Sequence, residues 1–443
     1  MCKARVTLRE LLVKSTIYGY CVESIIFISF VTTGRKCCRY GCAFWCKKYF
    51  WEGQELSGSP QQNLDDLSRG ERFLINHRRA IGIIVPVSIW QFFWWAMFFD
   101  RGFWQEQYFP TKYPLSVAMI IGGTIAGMTS VGGGAVAFPV LTLVLNVPPS
   151  IARDVSLMIQ SSGMTAASFS IFFMRVCVEW HALILCSLGS LAGIIFGLYV
   201  VDPAMSSSMK KLSFVSIWLS FAFVLVILNR AHKRRTFSSI PNFGVWKGIS
   251  LVVGGFVGGI FTAFAGTGLD ICAFMVLTLL FRISEKVATP TTVVLMAFNS
   301  VIALYWRTIM IKAVTVTAWQ YIAVTFPVVT IMAPVGSLLG THFHRLVLAA
   351  LVIVLNIVAY ILAFIIVRPL TPLLIGSSVG ILVGCFLLFI ALTYIGQKML
   401  ERYEAVEVED EDRERATTSG DTGSKNEAYV NYSYKEDNTS SSL

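Results

Sequence analysis

The stretch Gly122–Pro139, GGTIAGMTSVGGGAVAFP, decides the fold. Two apolar segments, Leu115–Thr129 and Ala135–Val147, flank Gly132-Gly133-Gly134. At 1.5 Å per residue they reach only about 22 and 20 Å, short of the roughly 30 Å hydrocarbon layer. Three glycines in a row make a poor helix interior, costing about 1 kcal/mol each relative to Ala. In lipid such a break survives only where protein or a water-filled cavity satisfies the freed backbone. The stretch therefore predicts a discontinuous membrane helix or a re-entrant hairpin. A glycine-rich packing seam is the alternative, because Gly123-x3-Gly127 is also a small-xxx-small pattern.

A second copy lies further along the chain. Residues 254–270 read GGFVGGIFTAFAGTGLD, so that Gly254, Gly255 and Gly259 match Gly122, Gly123 and Gly127, and Gly266 and Gly268 match Gly132 and Gly134. Gly189-Ser190-Leu191-Ala192-Gly193 likewise reappears as Gly336-Ser337-Leu338-Leu339-Gly340. Two motifs recurring in one order predict an internal duplication, with repeat one over about 115–229 and repeat two over about 244–367. Paired glycine-interrupted segments in two halves point to a transporter's binding site.

Composition sets the class. The 443 residues are 55% hydrophobic and 14% charged, and apolar runs approach 20 residues, with a mean hydropathy of +0.66. The expected fold is an all-α polytopic membrane protein of about 8–10 membrane helices. Expected spans are 80–99, 152–174, 181–201, 211–229, 287–306, 318–340, 347–367 and 373–396, with the second broken segment over 243–281. From Lys398 onward there are 12 acidic and 6 basic residues, so the tail carries −6 of a net +10. Basic loops in such a chain set topology at an anionic membrane surface, in the plasma membrane or an endomembrane, rather than bind nucleic acid.

Three regions follow: 1–79, basic and cysteine-containing; 80–397, the transmembrane transporter domain; and 398–443, an acidic tail expected to be disordered and cytosolic. Within the first, Ile17–Thr33 is apolar but short, and reads as an extra membrane helix, a signal anchor or an interfacial helix. Cys37, Cys38, Cys42 and Cys46 lack a neighbouring His and a zinc-finger spacing, so they read as palmitoylation sites or plain thiols. No disulfide framework, metal site or cofactor is expected. If each broken segment crosses fully, the loop 230–247 with Arg230, Lys233, Arg234, Arg235 and Lys247 falls outside, against the positive-inside tendency. If each is a re-entrant hairpin the loop falls inside, both termini are cytosolic, and the halves have opposite orientation. The second arrangement is the expected one.

Exposed amides at the glycine breaks, with half-helices beginning at Ala135 and Leu269, would bind a small anion near the midplane. Thr129, Ser130 and Thr267 can add hydroxyl donors to the backbone of Gly132, Gly133, Gly134, Gly266 and Gly268. A side chain added at Gly133 is accordingly expected to block binding, and one at Gly127 to disturb packing. Asp270 is an intramembrane carboxylate and by default a functional candidate, for a coupling proton or a cation. Its bland reading is a cap for the N–H groups of Cys272 or Ala273. Arg153 and Asp154 read as an interfacial pair, with attraction of substrate the alternative for Arg153, and Gln160, Ser161, Ser162 and Asn299 as pathway-facing or helix-bridging groups.

The duplicated glycine motif, Pro139 and the two GSLxG elements resemble the sulfite exporter TauE/SafE family over roughly Leu115–Tyr394. The resemblance implies ion-coupled secondary transport of small sulfur-containing anions such as sulfite or sulfonates. The second copy departs from it with Gly-Thr-Gly for three glycines, Ala273 for Pro139 and Asp270 for the apolar Val136. Two other classes compete. An intramembrane aspartyl protease is evoked by Gly266-Thr267-Gly268-Leu269-Asp270, but needs a second carboxylate that the duplicated core does not offer. A non-transporting membrane scaffold is the third. A small anion and the lipid bilayer are the expected partners, and a homo-oligomer stays open.

Overall fold

The computed structural model describes residues 77–100, 109–129, 131–230, 236–340, 343, 345–367 and 371–418. The Ile17–Thr33 stretch, the Cys37–Cys46 cluster, Ser130, the basic run 233–235 and the chain beyond 418 lie outside them. In order, the helices are α1 (Arg78–Asp100), α2 (Phe109–Met128), α3 (Gly134–Pro139), α4 (Pro149–Phe173), α5 (Trp180–Phe196) and α6 (Ser207–Arg230). They are followed by α7 (Val245–Ala265), α8 (Leu269–Met275), α9 (Glu285–Tyr305), α10 (Val316–Gly340), α11 (Arg345–Ile366) and α12 (Pro372–Thr418). Helices α3, α5, α8 and α9 each run on into a five-residue π turn, at Val140–Val144, Gly197–Val201, Val276–Leu280 and Trp306–Met310. Among the described residues the strand-like pairing is a single bridge, Phe237 with Ile283.

Seven of these helices are long and apolar enough to cross a membrane: α5, α6, α7, α9, α10, α11 and α12 as far as Arg402. The chain is an all-α polytopic membrane protein. Their burial differs with position. In α6 the most apolar window is 72% buried within the protein, whereas in α12 it is 11% buried and leaves Leu373, Leu387 and Leu388 facing outward. Such a surface is at home in lipid and costly in water.

Contacts between helices give their directions. Ser170 Oγ donates to the Gly82 carbonyl and Trp90 Nε1 to that of Ser162, so α1 and α4 run antiparallel. Ser116 Oγ donates to the Val324 carbonyl, while Gly340 lies against Met128, so α2 and α10 run parallel. Helices α5 and α7 also run parallel, because Gly189 meets Val252 and Gly193 meets Phe256. Calling the end of the bundle where α1 begins the near end, α2 starts at the far end. The segment after α3 returns there, where Lys211 Nζ at the start of α6 donates to the Thr142 carbonyl. Helices α7 and α8 form the converse hairpin at the near end, where Phe237 bonds Arg282 and Ser284 across the hairpin's mouth.

The sequence-based lengths need one correction. The first limb of each hairpin is a full helix, 20 residues in α2 and 21 in α7, each about 30 Å long. Pro110 sits in the first turn of α2, where a missing N–H is cheapest, and Pro114 lies inside the helix. Only the returning limbs are short, Gly134–Val144 and Leu269–Leu280. A second difference is at the C-terminus. The chain after Gln397 continues as helix to Thr418 instead of becoming irregular at once. Glu and Arg, both good helix formers, are the commonest residues of this stretch.

The repeated glycine motifs account for the tightest seams. A Cβ on Gly127 would strike the Ala333 carbonyl and stand 2.8 Å from the Ser337 nitrogen, and one on Gly336 would strike the Thr124 carbonyl. Cβ atoms on Gly193 and Gly255 would strike the carbonyls of Phe256 and Cys186, and one on Gly259 would stand 2.5 Å from that of Ser190. The motif at 122–127 thus packs on the one at 336–340, and the motif at 254–259 on the one at 189–193. Backbone meets backbone along both seams, as small residues permit in lipid.

Candidate functional site

Each hairpin tip is held by a threonine at the end of its first limb. Thr129 Oγ1 donates to the Ile125 carbonyl (2.8 Å) and accepts the Val131 N–H (3.2 Å). Thr262 Oγ1 does the same for the second hairpin, donating to the Gly258 carbonyl (2.9 Å) and accepting the Leu269 N–H (3.2 Å). The chain then reverses through backbone with positive φ, at Gly132 (69°) and at Gly266 (79°). An L side chain rarely adopts this region, which explains why glycine opens both tips. Gly268, with φ 146°, precedes α8.

The two tips meet. A Cβ at Gly132 would stand 3.2 Å from Asp270 Oδ2, and one at Gly134 would stand 3.0 Å from the Thr267 Cβ. Helix α4 supplies the third wall: Gln160 Nε2 lies directly against Gly134. Helix α9 supplies the fourth, with the Met296 methyl 2.5 Å from where a Cβ on Gly132 would be. Thr267 Oγ1 is 3.4 Å from both oxygens of Asp270, a long hydrogen bond. The junction is closed in this conformation, since Asp270, Gln160 and Thr267 are 0%, 1% and 2% exposed.

Of the residues picked out from sequence, Gly132, Gly134, Thr267 and Asp270 come together at this junction. Three others face elsewhere. Gly133 turns toward Ile159, Ala126 and Met119, Gly266 sits on the α4 backbone at Arg153, and Gly268 sits on Phe261. The Thr129 hydroxyl proton is spent on its own helix. Helix α8 begins at Leu269 behind Gly268, with no side-chain cap bond. Asp270 is the second residue of α8; the Cys272 N–H bonds to the Gly268 carbonyl (3.2 Å), and the Asp270 carboxyl lies against the backbone N–H groups of Gly268, Asp270 and Ile271. Ser161 and Ser162 bond backwards along α4. Asn299 bridges helices, its Nδ2 shared between Ser187 Oγ (3.0 Å) and the Leu295 carbonyl (2.8 Å).

Toward the far end from Gln160, α4 opens with a buried charge network. Arg153 Nε donates to Asp154 Oδ1 (3.0 Å), and its Nη1 to Asp202 Oδ2 (2.6 Å) and the Ala263 carbonyl (3.4 Å). Arg307 clamps Asp154 from α9 with Nε on Oδ1 (3.0 Å) and Nη2 on Oδ2 (2.8 Å). Lys210 pairs with Asp202 Oδ1 at 2.6 Å. The expected Arg153–Asp154 pair forms, each residue 1% exposed, within a buried knot that ties α4 to α6, α7, the end of α9 and the chain after α5. Arg307, Asp202 and Lys210 were not singled out from sequence. Arg307 carried the signal, since an arginine next to an apolar span needs a partner.

No curated protein and no solved structure matches the chain. The family model for the sulfite exporter TauE/SafE matches residues 115–368, from α2 through α11, and so takes in both hairpins and leaves out α1 and α12. That family consists of membrane transporters, not enzymes. With the match spanning more than half of the sequence, the chain belongs to the sulfite exporter TauE/SafE family.

Proposed function

We propose that this transporter moves a small sulfur-containing oxyanion through the junction of the two hairpin tips, with a proton carried on Asp270. The observation that carries the reading is the meeting of Gly132 with Asp270 and of Gly134 with Thr267, from hairpins that enter at opposite ends of the bundle. A junction reached from both ends by broken segments is where alternating access needs its binding site. The like order of elements in α2–α6 and α7–α11, and the crosswise pairing of the glycine motifs, support an inverted duplication as its origin.

Coupling follows from electrostatics. An anion bound against Gly132 would face the Asp270 carboxyl group across a low-dielectric gap, where two negative charges repel strongly. The anion and the ionised carboxylate exclude one another, and the anion and the protonated acid do not. Binding of one therefore favours binding of the other, which is the requirement for moving them together. Thr267 brings a hydroxyl to the junction.

The test is flux of sulfite, sulfate, thiosulfate, taurine and chloride into proteoliposomes, with and without a proton gradient. Wild type should transport a sulfur oxyanion and respond to the gradient. Asp270→Asn, which keeps the shape and removes the proton, should bind the anion and lose the response. An unchanged gradient response in Asp270→Asn removes the proton-carrier role. Proteolysis of a membrane peptide by wild type but not by Asp270→Ala would favour the enzyme reading instead.

A further inference from the structure

Gln160 and Asn299 are both amides buried in mid-span, each 1% exposed. Their surroundings differ. Asn299 Nδ2 has two acceptors, one across a helix boundary and one on its own helix. Gln160 Nε2 has none among the described residues; Asn299 Oδ1 and Asn356 Nδ2 also lack a partner, so it is the place of Gln160 that sets it apart. A buried amide donor without an acceptor is rare and destabilising, and asks for an explanation. Helix bridging does not provide one, because the atom bridges to nothing.

Its placement does. Gln160 Nε2 stands directly against Gly134, at the point where the first tip touches Thr267 of the second. Any side chain at 134 would occupy the space into which the amide points. Thr267 of the second hairpin lies against the same glycine, and its hydroxyl leans on Asp270. A carboxamide is neutral, so it can donate to an anion without forming a lasting ion pair with Asp270. It also offers two N–H bonds in one plane, which suit two oxygens of a compact oxyanion.

We infer that Gln160 is a substrate-binding residue whose carboxamide N–H groups grip the oxyanion at the hairpin junction. The inference rests on the transport reading above, and adds the side chain from α4 that touches the substrate. It makes a demand that a structural role does not. The empty protein holds an unpartnered donor, so removing it should help the empty state and harm the bound one.

The experiment compares wild type, Gln160→Met and Gln160→Glu as full-length chains in lipid nanodiscs. It measures sulfite affinity by titration calorimetry and the melting temperature without anion, repeated with sulfate, thiosulfate and chloride. Gln160→Met, similar in length and apolar, should bind sulfite at least tenfold more weakly and melt at or above the wild-type temperature. Gln160→Glu, which keeps the shape but replaces the donor by an acceptor, should lose binding altogether, and serves by itself if Gln160→Met is not recovered. Wild-type affinity in either variant overturns the inference and leaves the transport reading intact. So does earlier melting of anion-free Gln160→Met, which would reveal a structural partner for the amide. If wild type binds none of the four anions, the transport reading falls and this inference with it.

Discussion

The buried knot at the far end allows a magnitude to be worked from geometry. Asp154 accepts from Arg153 at 3.0 Å and from Arg307 at 3.0 and 2.8 Å, and its side chain is 2% exposed. Asp154→Asn removes the charge and turns one acceptor into a donor that faces guanidinium N–H groups. It leaves Arg153 and Lys210 on Asp202, and Arg307 with the Ala313 carbonyl at 3.3 Å. Opposite charges about 4 Å apart attract by about 4 kcal/mol at an effective dielectric near 20, and Asp154 has two such partners. Desolvation offsets much of that in the intact protein, but breaking a buried pair exposes the cost in full, typically about 3–5 kcal/mol. Asp154→Asn should therefore lower unfolding free energy by about 3–5 kcal/mol, measured by denaturant titration in micelles. Asp154→Leu/Arg307→Leu, which removes both charges, should recover a large part of that loss, and the double-mutant cycle should return a coupling above about 1 kcal/mol. A loss below about 1 kcal/mol for Asp154→Asn would refute the reasoning, because that is what a solvated surface pair is worth.

Other expectations are read from the seams, the tips and the topology. Gly127→Val and Gly193→Val each push a side chain into a facing backbone carbonyl, so each should cost about 1–3 kcal/mol and lower the yield of folded protein, read by size-exclusion profile. Gly134→Ala should abolish flux at matched protein level, since its methyl group would displace Gln160 and crowd Thr267. Gly133→Ala should retain flux, since its methyl group meets Ile159 at 3.0 Å and Ala126 at 3.7 Å, away from the junction. A near end on the cytosolic side places the tail inside, so Asn431 and Asn438 should carry no glycan in the intact protein. A cysteine at Lys312, exposed at the far end, should react with an impermeant maleimide from outside.

What sequence could reveal here depended on how local the determinant was. The breaks at Gly132–Gly134 and Gly266–Gly268 were legible because runs of glycine in apolar surroundings have few other uses. The repeated motifs at 122–127 and 336–340 were legible as motifs, but not as each other's partners, since shared composition does not say which seam closes on which. The length of α2 was missed because the apolar run begins only at Leu115, after Lys112 and the prolines at 110 and 114, whereas the helix runs through all three. Gly133 was grouped with its neighbours for want of a direction. Between positive φ at Gly132 and the first turn of α3, successive residues point to different walls, and only the fold tells which wall is the junction.

The two amides make the same point at the level of chemistry. In sequence Gln160 and Asn299 are equivalent, each a polar residue in the middle of an apolar span. Ser187, 112 positions from Asn299, makes one a bridge. Gln160 Nε2 has no acceptor among the described residues and stands against a glycine that leaves it room. Function at Gln160 is thus argued from a donor that finds no acceptor among the described residues. That kind of evidence exists only once every neighbour has been placed, which is why the glycines, readable one by one, announced the site and the residue facing them did not.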